Sequence, residues 1–141
     1  MLNKVVVVTG ANAGIGFQAA LTLSRMGAQV VMACRSMDKA GKARSEILAE
    51  VPAAIALDVS EPQSIREFGR RFSQQTGELD LLINNAGIVG TPLARNSVGH
   101  EMQLATNYLG AFALTGTLLP FFTSTTQARI VNVGSLMHRF G

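Results

Sequence analysis

Four consecutive valines, Val5 to Val8, run directly into Thr9-Gly10-Ala11-Asn12-Ala13-Gly14-Ile15-Gly16. An unbroken β-branched run suits a strand buried on both faces, and the residues beyond Gly14 carry the spacing of an amphipathic helix. The chain must therefore pass from strand to helix through a tight, glycine-rich turn. Glycine there permits positive φ and removes the Cβ that would keep another group at a distance. The amides that open the following helix then face outward at its positive end. In this strand–loop–helix setting the anion expected is a dinucleotide pyrophosphate, held by Gly10, Asn12, Gly14, Ile15 and Gly16.

The same alternation continues along the chain. Strands are expected at Lys4 to Thr9, Gln29 to Ala33, Ala54 to Leu57, Leu79 to Ile83 and Arg129 to Val133, the last with Ile130, Val131 and Val133 buried. Helices are expected from Gly14 to Met26 with Gly27 as C-cap, and from Asp38 to Glu50 behind an N-cap at Ser36, with Pro52 as the stop. A third helix follows a capping box at Ser60-Glu61-Pro62-Gln63, presents Ile65, Phe68 and Phe72 on one face and ends at Gly77; a fourth is long, from Val98 to about Leu119 before Pro120. Residues between Gly90 and Gly99 read as a surface loop. Five strands separated by helices imply βαβ crossovers and hence an α/β, doubly wound parallel sheet of the Rossmann type, in one domain spanning residues 1–141. Ligands in such sheets sit beyond the carboxyl ends of the strands, where Gly10 to Gly16, Cys34-Arg35, Asp58-Val59, Asn84 to Gly87 and Gly134-Ser135 all fall.

Composition narrows the function classes. With 48% hydrophobic and 15% charged residues the chain can bury a core, and its net charge of +3 is scattered rather than striped, so nucleic acid is not an expected partner. Arg70-Arg71 reads as a solvated helix face. Cys34 is the sole cysteine, which excludes an internal disulfide framework and a zinc site built on cysteine pairs. No apolar stretch approaches the roughly 20 residues of a membrane span, and no secretory signal opens the chain, so a cytoplasmic location is expected. His100 and His138 lack a ligand cluster around them and read as surface or packing residues, with no metal site.

Taken together, Thr-Gly-x-x-x-Gly-x-Gly at Thr9 to Gly16, Asn-Asn-Ala-Gly at Asn84 to Gly87, Asn107 in the long helix and Ser135 after the fifth strand resemble the short-chain dehydrogenase/reductase family, in its single-domain subgroup. The wording around Ala33-Cys34-Arg35, Asn107 to Gly110 and Arg129 to Ser135 is most similar to the branch of the retinol dehydrogenases and protochlorophyllide reductases. The nucleotide-sugar epimerase subgroup, with tighter glycine spacing and a different fourth-strand ending, fits less well.

The resemblance implies a nicotinamide cofactor and hydride transfer to or from a carbonyl or alcohol of a small, lipophilic substrate. Arg35 stands where a carboxylate would bind the ribose of NAD, with no Asp or Glu before Asp38, and its guanidinium suits the 2′-phosphate of NADP, so NADP is favoured. Asp58 and the Val59 amide are implied to read the adenine edge, although Asp58 also fits a helix-opening aspartate. Asn84 and Asn85 must tie strand ends together or meet the ribose; the resemblance suggests both, with Asn85, Ala86 and Gly87 nearest the ligand. Asn107 is implied to hold a water of a proton relay, and Ser135 to bind the substrate oxygen. Gly134 departs from a family position often occupied by a second serine.

The family's acid/base tyrosine, and the lysine four residues after it, would lie beyond the serine. Leu136 to Gly141 contain neither, and Tyr108 is the sole tyrosine. Two readings are carried forward. In the first the chain is the N-terminal part of an oxidoreductase, its C-terminal strands and helices missing, inactive alone and a homo-oligomer when complete through the helix bearing Leu104, Leu109, Phe112, Leu114 and Leu118. In the second it is a non-catalytic nucleotide-binding or interaction module. The first is favoured, since the fifth strand would otherwise be a bare sheet edge.

Overall fold

The computed structural model describes residues 1–47, 53–122 and 128–135. The elements are β1 (Val5–Thr9), α1 (Gly14–Arg25), β2 (Gln29–Cys34), α2 (Met37–Glu46), β3 (Ala53–Ala56), α3 (Pro62–Gln75), β4 (Leu81–Asn84), α4 (Met102–Leu104), a π-helical segment (Ala105–Gly110), α5 (Ala111–Leu118), a 3₁₀ turn (Leu119–Phe121) and β5 (Arg129–Asn132). The strands form one sheet in the order β3-β2-β1-β4-β5, every neighbouring pair parallel. This is the expected doubly wound Rossmann architecture.

The valine run explains why both faces are covered. Successive strand residues point to opposite sides. Val5 and Val7 therefore join Ile65, Phe68 and Phe72 of α3 and Leu114 and Leu118 of α5, while Val6 and Val8 pack with Ala20 of α1 and Ala40 and Ala43 of α2. Helix α3 approaches α5 closely at Gly69, where a Cβ would lie 2.5 Å from Thr117 Cγ2.

Several boundaries differ from the sequence expectation, each for a local reason. The long helix begins at Met102 rather than Val98, because Asn96 Oδ1 accepts from the amides of Val98 and His100 and Gly99 has φ +87°. Those bonds wind residues 96–100 into a turn, and Glu101 becomes the N-cap, accepting from the Gln103 and Leu104 amides. The capping box at Ser60 does not form. Glu61 is the N-cap of α3 and makes no side-chain cap bond, Ser60 Oγ donates to Asp58 Oδ1, and Gln63 pairs with Glu67 and Arg66. Ser36 does cap α2, accepting from the Lys39 amide, but α2 ends at Glu46; the expected continuation over Leu48 to Glu50, and the stop at Pro52, lie outside the described residues. The fifth strand is exposed rather than buried, with Ile130, Val131 and Val133 at 40%, 42% and 44% exposure. Among the described residues it pairs with β4 alone.

At the amino ends of the strands, opposite the motif cluster, Asp80 joins β1 to β4. Its carboxylate accepts from Lys4 Nζ at 2.8 Å and from the Val5 amide at 2.9 Å. Burial alone would push this carboxyl up, but the Lys4 ammonium and the Val5 amide outweigh it and hold it below its ordinary value. A carboxylate depressed in the folded state contributes stability that is present above its unfolded pKa of about 3.9 and is lost as pH falls through the lower folded value. Asp80→Asn is expected to cost about 1–2 kcal/mol at pH 7 and to flatten the fall in stability as pH drops below about 4. Urea unfolding of both proteins across that range checks it; parallel pH profiles would contradict it.

Candidate functional site

The chain leaves β1 toward β2 and β3 on one side, and β4 toward β5 on the other, so the sheet order reverses between β1 and β4. Crossovers that depart in opposite directions leave a crevice at the carboxyl ends of these two strands. Thr9 closes its floor. Buried at 2% exposure, its Oγ1 accepts from the amides of Asn85 and Ala86, each at 2.9 Å, and donates to Ile83 O at 3.4 Å. Asn85 Nδ2 returns a bond to Thr9 O at 2.9 Å. Asn84 instead donates from Nδ2 to Thr115 Oγ1 and Asn132 Oδ1, leaving its own Oδ1 buried and without a partner among the described residues. Both asparagines thus tie strand ends together, in opposite directions along the sheet.

Above this floor lies a cavity of about 340 Å³. Its walls are strand ends and the turns that follow them. Gly10, Asn12 and Ala13 form one wall, Arg35, Ser36 and Lys39 a second, Leu57 to Val59 a third, and Asn85 to Ile88 with Thr106 the fourth. The first wall carries the start of α1, which has no side-chain cap and no acidic residue in its first turn, so its positive end is not neutralised from within that turn. Gly10 and Gly14 take φ +65° and +55°. Gly16 is required for another reason: a Cβ there would lie 2.4 Å from Asn85 Nδ2 and 2.5 Å from Gly10 O. Beneath the loop Cys34 is buried, and burial pushes its thiol up, against the opposing pull of the Ala11 and Asn12 amides.

Of the residues expected at the site, Gly10, Asn12, Arg35, Asp58, Val59, Asn85, Ala86 and Gly87 line the cavity. Gly14, Ile15 and Gly16 do not: Gly16 packs under the loop and Ile15 is 72% exposed. Asp58 lines the cavity, and its Oδ1 accepts from the amide and hydroxyl of Ser60, just ahead of the α3 N-cap at Glu61. Asn107 lies outside the cavity and grips Ile88, accepting from its amide at 2.9 Å and donating to its carbonyl at 2.8 Å. Ser135 is exposed beyond β5 and does not line the cavity. His100 is exposed, and His138 falls outside the described residues, among which no cluster of three metal-ligating side chains occurs.

Lys39 and Thr106 are among the lining residues that the sequence reading did not assign to the site. Lys39 sits in the first turn of α2, close behind Arg35, and the Ser36 cap that fixes that turn was the available signal. Thr106 reaches the cavity from the π-helical segment, which periodicity did not reveal. That segment lies against the third wall at Gly110, where a Cβ would fall 2.1 Å from Val59 O.

A dinucleotide-type crevice at the reversal point of a parallel sheet defines an α/β nucleotide-binding protein. The short chain dehydrogenase family profile matches residues 4–141, and the chain belongs to that family. It is 42% identical over 145 residues to retinol dehydrogenase 12 of Bos taurus, covering 100% of this chain and 46% of that one, which places it in the retinol dehydrogenase branch. Among solved structures it resembles an uncharacterised protein from Mycobacterium paratuberculosis, at 40% identity and TM-score 0.84, covering 97% of this chain and 48% of that one. It also resembles a short chain dehydrogenase from Shigella flexneri complexed with NADP, at 29% identity and TM-score 0.85, covering 99% of this chain and 62% of that one. The chain spans just under half the length of the curated relatives it matches.

The glycine contacts separate two substitutions of the same kind. Gly16→Ala is expected to destabilise by about 2 kcal/mol or more, since the new methyl meets backbone that cannot move aside. Gly116→Ala, in α5 with nothing within 4 Å of the added methyl, is expected to stabilise by about 0.5–1 kcal/mol. Denaturant midpoints of the two variants check the contrast; equal effects would contradict the packing described.

Proposed function

We propose that this chain is the nucleotide-binding part of an NADP(H)-dependent oxidoreductase that moves a hydride between the nicotinamide and a carbonyl or alcohol of a small, lipophilic molecule. The observation that carries the cofactor assignment is the pair of cations, Arg35 and Lys39, on one wall of the cavity, at the strand end where a ribose-binding carboxylate would favour NAD. The uncapped start of α1 suits the pyrophosphate, and the wall at Asp58 and Val59 suits the adenine. Bound NADP(H) would supply the hydride; the residues of this chain orient it and exclude water. The NADP complex of the Shigella flexneri relative supports this choice of cofactor.

Ser135 is assigned to the substrate oxygen and Asn107 to a positioning role through Ile88, with a relay water as its further task. No Tyr-x-x-x-Lys pattern occurs in these 141 residues, so proton transfer rests with groups outside them. Leu114 and Leu118 belong to the core, whereas Leu104, Tyr108 and Phe112, at 48%, 63% and 74% exposure, offer an apolar face for a second copy.

Arg35→Asp is expected to weaken NADPH binding at least about tenfold and to narrow or reverse the preference over NADH. Parallel titrations with the two nucleotides check this, and an unchanged preference would overturn the assignment. The 141-residue chain should bind NADPH yet not oxidise it with a panel of aldehydes and ketones; steady turnover would require an acid/base within these residues, with Tyr108 the first to replace.

A further inference from the structure

Asn96 is buried at 8% exposure inside a loop whose other residues from Thr91 to His100 are all exposed. A buried amide in an exposed loop is retained only where its hydrogen bonds are made. Here they join the residue that follows the Asp58–Val59 wall to the turn that precedes α4, although Asn96 itself does not line the cavity. Its Nδ2 donates to Ser60 O at 2.7 Å, directly after Asp58 and Val59, while its Oδ1 accepts from the Val98 and His100 amides and so sets the turn before Glu101 and α4. Ser97 adds to the same seam, its amide and hydroxyl both donating to the Glu61 carboxylate. Asp58 in turn holds Ser60 through Oδ1.

We propose that Asn96 is a positioning residue for the adenosine end of the cofactor, fixing the Asp58–Val59 wall against the turn that leads to Thr106. This rests on the NADP(H) reading above. Asp58 cannot shift without Ser60, and Ser60 is pinned by an amide on the far side of the wall. The two halves of the Asn96 side chain have separate jobs. An aspartate would keep the acceptor that builds the turn and lose the donor that holds Ser60.

The test compares Asn96→Asp with Asn96→Ala and with Leu93→Ala, an exposed residue of the same loop, in titrations with NADPH, adenosine 2′,5′-bisphosphate and reduced nicotinamide mononucleotide. Both Asn96 variants are expected to lose about tenfold in affinity for NADPH and for the bisphosphate and nothing for the mononucleotide, with Leu93→Ala unchanged. Asn96→Asp binding like the parent would overturn the proposal, since the turn alone would then suffice. An equal loss for all three ligands would also overturn it, as the mark of general destabilisation. If the parent bound none of them, the NADP(H) reading itself would fail, a distinguishable outcome. Should the variants not fold, nuclear magnetic resonance of the parent decides. The Asn96 side-chain amide is expected to shift on saturation with the bisphosphate, and its standing still while the Asp58 amide moves would count against the pin.

Discussion

One hydroxyl group holds the two halves of the sheet in the geometry the site requires. Thr9 Oγ1 takes the amides of Asn85 and Ala86 and reaches Ile83 O, so the carboxyl ends of β1 and β4 are joined where the chain turns away in opposite directions. Ladder bonds between these strands run through Val6–Leu81, Val7–Leu82 and Val8–Ile83 and stop short of that point. Beyond the last ladder pair, the part-buried amides of Asn85 and Ala86 take the Thr9 hydroxyl as their acceptor. An unpaired buried donor costs about 1–3 kcal/mol, a large share of a domain's net stability.

The rest of the cavity is built outward from this join. Asn85 faces β1 and receives the close approach of α1 at Gly16, while Asn84 faces β5 and α5 through Asn132 and Thr115. Asn107 then fixes Ile88, and Gly110 lets the π-helical segment rest on Val59 O. Each wall is held by backbone or by short polar side chains, which leave little freedom. Arg35 and Lys39, the long cationic side chains, sit on the outer wall instead.

Much of this was legible in the sequence because it rests on short-range signals. The valine run, the glycine loop and Ser36 before α2 each point to one local structure, and the order of strands and helices then leaves the doubly wound sheet. What failed depended on contacts between distant residues. Ser60 looks like a cap until Asp58 claims its hydroxyl, and Val98 looks helical until Asn96 winds the turn beneath it. The burial of Ile130 and Val131 was read from apolarity, but burial depends on what packs alongside, and among the described residues β4 is the sole strand beside β5. Of the site, the strand-end residues were visible; Lys39 and Thr106 enter it from helices whose orientation no local pattern reveals.

The dependence of the crevice on Thr9 is tested most directly by NADPH titration of Thr9→Val beside Thr9→Ser. Valine keeps the shape and removes the hydroxyl, whereas serine restores it. The account predicts that folded Thr9→Val loses at least about tenfold in affinity and about 1–3 kcal/mol in stability, with Thr9→Ser close to the parent in both. Parental affinity and stability in Thr9→Val would show that the crevice holds its geometry without this hydroxyl, and would contradict the account at its centre.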